Sequence, residues 1–318
     1  MARGTSGFRQ WQISPIFPKI PGMFILEVNQ IHKSYGRIQA LRGVSFRVPQ
    51  GSVFGILGPN GSGKTTLLGI LCDILRSDSG SYTLFGQSPG AEQRRNIGTF
   101  LETPNFYHYL SAEQNLQISA AIKQRGANDI DRVLQMVQLD ARRKHRFSTY
   151  SLGMKQRLAI ASCLLGDPQV MVFDEPTNGL DPEGIADTRE LIKKMHAQGK
   201  TIIMASHLLD EVEKVCTHVA ILKRGELLAA GEVGEILSNE DIVELGADNT
   251  EQLLAAARSL EGHTQLRQGG RFLELSFPAG KADAAAVNRH FFSHEVVLTH
   301  LQLRKKSLES KFFELTHE

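Results

Sequence analysis

The sequence predicts an α/β fold. A parallel-sheet core is preceded by an antiparallel β subdomain and interrupted by an inserted helical subdomain, and a small C-terminal α+β unit follows. Three observations carry this. Val53–Leu57 is a short apolar run leading into Gly58-Pro59-Asn60-Gly61-Ser62-Gly63-Lys64-Thr65, after which Thr66–Cys72 places apolar side chains at helical spacing. Val170–Phe173 and Thr201–Ala205 are continuous apolar runs of the kind that form strands buried on both faces of a parallel sheet. Beyond about Ser238 the pattern becomes short strands and helices in the order βαββαβ.

Composition bounds the reading. A length of 318 residues suits two domains, or one large domain with an appendage. Apolar residues make up 41% of the chain, enough for a substantial core. A formal net charge of +2 gives no polyelectrolyte signal, so no nucleic-acid partner is expected. Cys72, Cys163 and Cys216 are scattered without metal-ligand spacing and read as buried thiols of a reducing compartment. No apolar run approaches the ~20 residues that span a bilayer. A soluble chain is therefore expected, with any membrane role coming through a partner. Residues 1–22 carry Arg3, Arg9 and Lys19, no acidic residue and no signal-peptide apolar region. They read as a disordered tail, or as sequence upstream of a start at Met23, with membrane-surface contact as the alternative.

Taking the chain in order, Phe24–Val28 and Val44–Val48 alternate apolar and polar residues, as half-buried antiparallel strands do. Between them, Lys33-Ser34-Tyr35-Gly36 sets an aromatic ahead of the glycine-rich loop. Such a ring suits stacking on a planar base; taken alone, it is an ordinary surface or core tyrosine. Strand, glycine-rich turn and helix together make Gly58–Thr65 a phosphate-binding loop, and the core a P-loop NTPase core. The glycines let successive N–H groups converge on phosphate oxygens, and the helix N-terminus adds partial positive charge. Lys64 would neutralise the β- and γ-phosphates, and the Thr65 hydroxyl would ligate Mg²⁺. The competing reading is a glycine turn with a chance Lys-Thr, and the flanking strand and helix count against it.

Ser79–Gly86 reads as a further strand, and Arg94–Thr99 leads to Phe100-Leu101-Glu102-Thr103-Pro104. From Ser111 to about His145 the chain reads as helices. Ser111-Ala112-Glu113-Gln114 is a capping box, and Ile130–Leu139 has apolar residues at i, i+3, i+4 and i+7. The inserted subdomain is placed at about 103–165. Tyr150-Ser151-Leu152-Gly153 then runs into an apolar helix, Leu158–Leu165. A Ser and a Gly at a helix start can bind phosphate through backbone N–H groups, or simply cap the helix.

Val170–Phe173 ends in Asp174-Glu175, at the strand edge where open α/β sheets bind ligands. Asp174 is placed to hold Mg²⁺ and Glu175 to orient and help deprotonate an attacking water. Pro176–Pro182 is a tight turn containing Asp181, followed by a helix from about Glu183 to His196. Thr201–Ala205 ends in Ser206-His207 on the same sheet edge, within reach of a γ-phosphate.

The ordered set resembles the ATP-binding subunits of ABC transporters, over about Phe24 to Leu237. Tyr35 falls at the adenine-stacking aromatic and Gly58–Thr65 at the Walker A loop. Ser151-Leu152-Gly153 falls at the signature loop, Asp174 and Glu175 at the Walker B acids, Leu180-Asp181 at the D-loop and His207 at the switch histidine. The resemblance implies that ATP is bound by Tyr35, Gly58, Pro59, Asn60, Gly61, Ser62, Gly63, Lys64, Thr65, Thr66, Ser151, Gly153 and Asp181. It further implies Mg²⁺ on Thr65, Glu102 and Asp174, and catalysis by Glu175, His207 and Lys64.

Two positions depart from the family pattern. Glu102 stands where a glutamine usually senses the γ-phosphate and Mg²⁺ and contacts the membrane partner. A carboxylate can ligate Mg²⁺ but cannot donate a hydrogen bond to phosphate. The signature reads Tyr150-Ser151-Leu152-Gly153-Met154, against the common Leu-Ser-Gly-Gly-Gln. Both variants are similar to a bacterial export branch that includes antibiotic-resistance, bacitracin-type and gliding-associated subunits paired with separately encoded permeases. The resemblance thus implies a second copy or homologous subunit as partner, integral membrane permease subunits, and a place on the cytoplasmic face of the cell membrane. The rival reading is a soluble ABC ATPase without a permease, such as an assembly or ribosome-associated factor. A nucleotide-binding module that does not hydrolyse is disfavoured by Asp174, Glu175 and His207 together.

In the C-terminal unit, 238–318, Ile242–Leu245, His263–Arg267, Phe272–Phe277 and Val296–Leu303 read as strands, and Thr250–Leu260 and Lys281–Phe292 as helices. This is a ferredoxin-like order, with a hairpin at Gln268-Gly269-Gly270 and a closing helix near Ser307–Leu315. His290, His294 and His300 form no ligand pattern, and dimer support or regulation is the expected role.

Overall fold

The computed structural model describes residues 24–101, 105–237, 240–269, 272–278, 280–305 and 308–317. The expected tail, Glu102 and Gly270 of the expected hairpin lie outside the described residues.

The chain opens with a long hairpin, β1 (Phe24–Tyr35) and β2 (Ile38–Pro49). Tyr35 pairs with Ile38 across a two-residue connection that Gly36 makes at φ 59°. Both strands run well past the segments expected, because their irregular registers break the simple alternation at several points. β3 (Val53–Leu57) follows, then α1 (Lys64–Leu71), and β4 (Ser79–Leu84) returns to pair with β1 in a three-stranded antiparallel sheet of order β2-β1-β4.

α2 (Ala91–Arg95) and β5 (Ile97–Phe100) precede the helical block of α3 (Ala112–Lys123), α4 (Ile130–Met136) and α5 (Leu152–Leu164). The Ser111–Gln114 capping box forms in full, its two hydrogen bonds satisfying two helix-end donors. α4 is shorter than the run predicted: a 3₁₀ turn at Ala127–Asp129 precedes it, and Gln138 at φ 56° terminates it. β6 (Val170–Asp174), α6 (Pro182–Ala197), β7 (Thr201–Ser206), α7 (Leu209–Glu213), β8 (His218–Lys223), β9 (Glu226–Glu232) and α8 (Val233–Ile236) complete this part.

The central sheet has the order β5-β6-β7-β3-β8-β9, parallel except for β9. β3, β6 and β7 are buried at every position, which explains their unbroken apolar sequences. Val53, Leu57, Met171, Phe173, Ile202 and Met204 face the helical block. Phe54, Ile56, Val170, Val172 and Ile203 face α1 and the antiparallel sheet. Each such side chain contributes about 1.5–3 kcal/mol on burial, so the sheet is held between two apolar layers.

β10 (Glu240–Ala247), α9 (Thr250–Ser259), β11 (Gln265–Gly269), β12 (Phe272–Pro278), α10 (Ala284–Ser293) and β13 (Leu298–Lys305) form an antiparallel sheet of order β11-β12-β10-β13. Leu253, Ala256 and Ala257 of α9 and Val287 and Phe291 of α10 close its core. α11 (Leu308–His317) leaves this unit: Leu308 is fully buried in the core of the larger part, on α7. Cys163 and Cys216 are buried as expected, whereas Cys72, at the end of α1, is only partly so. Among the described residues no helix is long and apolar enough to cross a membrane.

Candidate nucleotide site

Strand register assembles the site. Asp174 of β6 lies opposite Ala205 of β7, and Leu57 of β3 lies opposite Ser206. Gly58, Glu175 and His207 therefore leave the carboxyl ends of three adjacent parallel strands, where ligands bind in open α/β sheets. Glu175 donates its N–H to Ala205 O at 3.0 Å and then turns left-handed, with φ 48°. That conformation costs a side-chain-bearing residue about 1–3 kcal/mol and aims the carboxylate along the sheet edge. His207 Nδ1 lies 2.8 Å from Glu175 Oε2, and Lys64 Nζ lies 3.4 Å from Glu175 Oε1. Lys64, almost wholly buried, also donates to Gly58 O at 2.8 Å.

The loop accepts only glycine at two points. A Cβ on Gly58 would lie 2.3 Å from Leu222 O, and one on Gly63, at φ 105°, would lie 2.5 Å from Ala40 O. Gly63 begins α1 with no side-chain cap, whereas Ser111, Ser151 and Asp181 cap α3, α5 and α6. The first-turn N–H groups of α1 are thus left to an external acceptor. Ser62 Oγ is buried with no hydrogen-bond partner among the described residues. In front of them is a cavity of about 580 Å³, lined by Tyr35, Asn60, Gly61, Ser62, Gly63, Lys64, Thr65, Thr66 and Glu175. Gly58 and Pro59 line a second, smaller cavity with His207.

These features fit a nucleoside triphosphate. The cavity is of ligand size, one end offers backbone donors and an ammonium, and the other offers the half-exposed Tyr35 ring. The Thr65 hydroxyl and the buried Asp174 carboxylate are hard oxygen donors, the type Mg²⁺ selects. Arg37, Arg42 and Arg224 also line the cavity and add positive charge. No local pattern marked them, because they come from the β1–β2 connection, β2 and the β8–β9 turn. Cys72 is no rival nucleophile: burial first, then the Asp174 charge, pushes its thiol up to about 12.

Ser151 and Gly153 are not among the residues lining that cavity. Ser151 accepts a hydrogen bond from Met154 N–H at 3.3 Å, so it caps α5. The signature segment is instead tied to the turn after β6. Leu152 Cδ2 lies 3.2 Å from where a Cβ on Gly179 would be, and Leu180 Cδ2 lies 3.9 Å from the corresponding position on Gly153. Buried Gln156 donates from Nε2 to Pro176 O at 2.6 Å. Asp181 caps α6 through Gly184 N–H at 2.9 Å.

The family model described as "ABC transporter" matches residues 41–178. An uncharacterised ABC transporter ATP-binding protein, YhcH of Bacillus subtilis, is 35% identical over 300 residues, covering 92% of this chain and 96% of that protein. The bacitracin transport ATP-binding protein BcrA of Enterococcus faecalis is 31% identical, with the same two coverages. Among solved structures, a dimeric post-hydrolysis state of the ATP-binding cassette MJ0796 bound to ADP and Pi superimposes with a TM-score of 0.58 at 26% identity. It covers 66% of this chain and 99% of that one.

Proposed function

We propose that this chain, which belongs to the family of ABC transporter ATP-binding subunits, hydrolyses ATP to drive a separately encoded membrane permease of an export system. The observation that carries the reading is the Glu175 carboxylate held between Lys64 and His207 at the mouth of the glycine-rich loop.

In this reading the first-turn N–H groups of α1, the loop and Lys64 bind the phosphates, and Tyr35 stacks on the adenine. When Lys64 turns to the phosphates, the Glu175 carboxylate is released to accept a proton from a water. That water's oxygen forms a bond to the γ-phosphorus as the bond to the β–γ bridging oxygen breaks, and ADP leaves with the electron pair. His207 holds Glu175 on line and faces the γ-phosphate. Thr65 and Asp174 would hold Mg²⁺, with Glu102 as a further ligand, and the bound ion would supply neutralisation of phosphate charge.

Ser151, Gly153 and Asp181 act on the ATP of a second copy. Their absence from the Lys64 cavity of their own chain supports this, as does the dimeric form of the similar MJ0796 cassette. Moving such an interface from mostly open to mostly closed takes ~5.5 kcal/mol of differential binding. Several charge-assisted phosphate contacts of ~1.5–3 kcal/mol each supply it. Likeness to a bacitracin transport ATP-binding protein supports a transport role, which we read as export, with the chain peripheral on the cytoplasmic face of the membrane. We read 23–237 as the ATP-binding domain and 238–318 as a ferredoxin-like accessory domain; the order β11-β12-β10-β13 and the helix placement support the latter.

The test is phosphate release by the purified chain with ATP and Mg²⁺. Wild type should turn over, and Lys64→Ala should abolish both nucleotide binding and turnover. Release that survives Lys64→Ala would contradict the assignment.

A further inference from the structure

α11 reaches back to the nucleotide site. Leu308, its first residue, is fully buried and donates its N–H to Glu213 Oε2 at 2.9 Å, across 95 positions of sequence. Glu213 ends α7, the helix that opens two residues after His207. One turn further along α11, Phe312 shares a cavity of about 300 Å³ with Gly58, Pro59, Asn60, His207 and Leu209. Phe312 and Leu315 both pack on the core of the larger part. A single C-terminal helix is therefore anchored on α7 and faces, across one cavity, both His207 and the head of the glycine-rich loop.

We propose that Phe312 is a positioning residue for hydrolysis. α11 braces the His207–Leu209 segment against the loop head, keeps His207 in reach of Glu175, and so lets the C-terminal unit set the turnover rate. His207 is tied to Glu175 Oε2 through both its backbone N–H and its ring Nδ1, and Leu208, the cap position of α7, offers no side-chain cap. The Phe312 ring bounds the cavity on the side of His207 and limits the space into which that segment can move, and small displacements of reacting groups have large effects on rate. The inference rests on the hydrolytic reading above.

The experiment measures steady-state phosphate release against ATP concentration, nucleotide binding and thermal midpoint on the full chain. It compares wild type with Phe312→Ala, Phe312→Leu, Glu213→Gln and, as a control on the exposed side of α10, Phe292→Ala. Phe312→Ala is expected to lower kcat about 10-fold while KM for ATP stays within about 2-fold. Phe312→Leu should recover most of the rate, Glu213→Gln should fall between, and Phe292→Ala should match wild type. Turnover by Phe312→Ala equal to wild type would overturn the proposal alone. So would a parallel loss of kcat, binding and thermal midpoint that leucine does not rescue, since that marks plain packing. No turnover by wild type would overturn the hydrolytic reading and this proposal with it.

Discussion

His207 Nδ1 lies 2.8 Å from one oxygen of the Glu175 carboxylate while Lys64 Nζ lies 3.4 Å from the other. One carboxylate is thus shared by a residue of the glycine-rich loop and a residue of the next strand end. The parallel register of β6, β7 and β3 makes that possible. If His207 orients Glu175, removing the ring affects chemistry before binding. His207→Ala should reduce kcat on the order of 100-fold while ATP affinity changes little. Fluorescent-nucleotide titration alongside phosphate release distinguishes this from a binding defect, and equal losses in both would refute the orienting role.

Leu152 and Gly179 make a second prediction. Gly179 sits at φ 75° with Leu152 Cδ2 against it, so Gly179→Ala is strained by conformation and by contact. It should destabilise the protein by about 1 kcal/mol. Leu152→Gly alone should loosen the signature segment from the turn carrying Asp181 and lower turnover more than nucleotide binding. In a denaturation cycle the double variant should recover about 0.5 kcal/mol of the single-variant sum. Strict additivity would show that the two loops do not communicate through this contact.

Burial of two thiols, partial at Cys72 and complete at Cys163, sets a pH dependence. Cys72 and Cys163 titrate near 9.0 when exposed, and burial pushes both up to about 12. Above pH 9 the unfolded chain therefore loses thiol protons that the folded chain retains, so stability falls as pH rises from 9 towards 12. Cys163→Ala, compared with wild type by urea unfolding at several pH values, should flatten that slope; an unchanged slope would rule Cys163 out as its source. Iodoacetamide at pH 8 should likewise label Cys163 and Cys216 only after unfolding.

Glu102 stands where the family pattern has a glutamine. Since a carboxylate can ligate Mg²⁺ but not donate to phosphate, Glu102→Ala should weaken Mg²⁺-dependent hydrolysis more than nucleotide binding. A Mg²⁺ titration of both quantities checks it, and equal losses would sink the role.

What could be read from the sequence follows from how local each signal is. The glycine-rich loop between β3 and α1, the Asp174-Glu175 strand end and the Ser111 cap are set by neighbouring residues, and each lies where its spacing indicated. The C-terminal unit was legible because β12 alternates apolar and polar residues, while α9 and α10 place apolar residues three and four apart. The β8–β9 hairpin was missed: β9 is only half-buried and carries Gly231, so its alternation is blurred. Arg37, Arg42 and Arg224 were invisible as site residues because only β-sheet closure brings them to one cavity. The seating of α11 on α7 was equally illegible, since Leu308 and Phe312 look like any amphipathic helix until their partner surface is known.

The central claim is a shared ATP site opened by hydrolysis at Glu175. Its most direct measurement is gel filtration of Glu175→Gln with and without MgATP, with bound nucleotide quantified in each peak. The account predicts a stable dimer with ATP trapped only when MgATP is present, and no phosphate release. A monomer that binds ATP, or turnover near that of wild type, would contradict it.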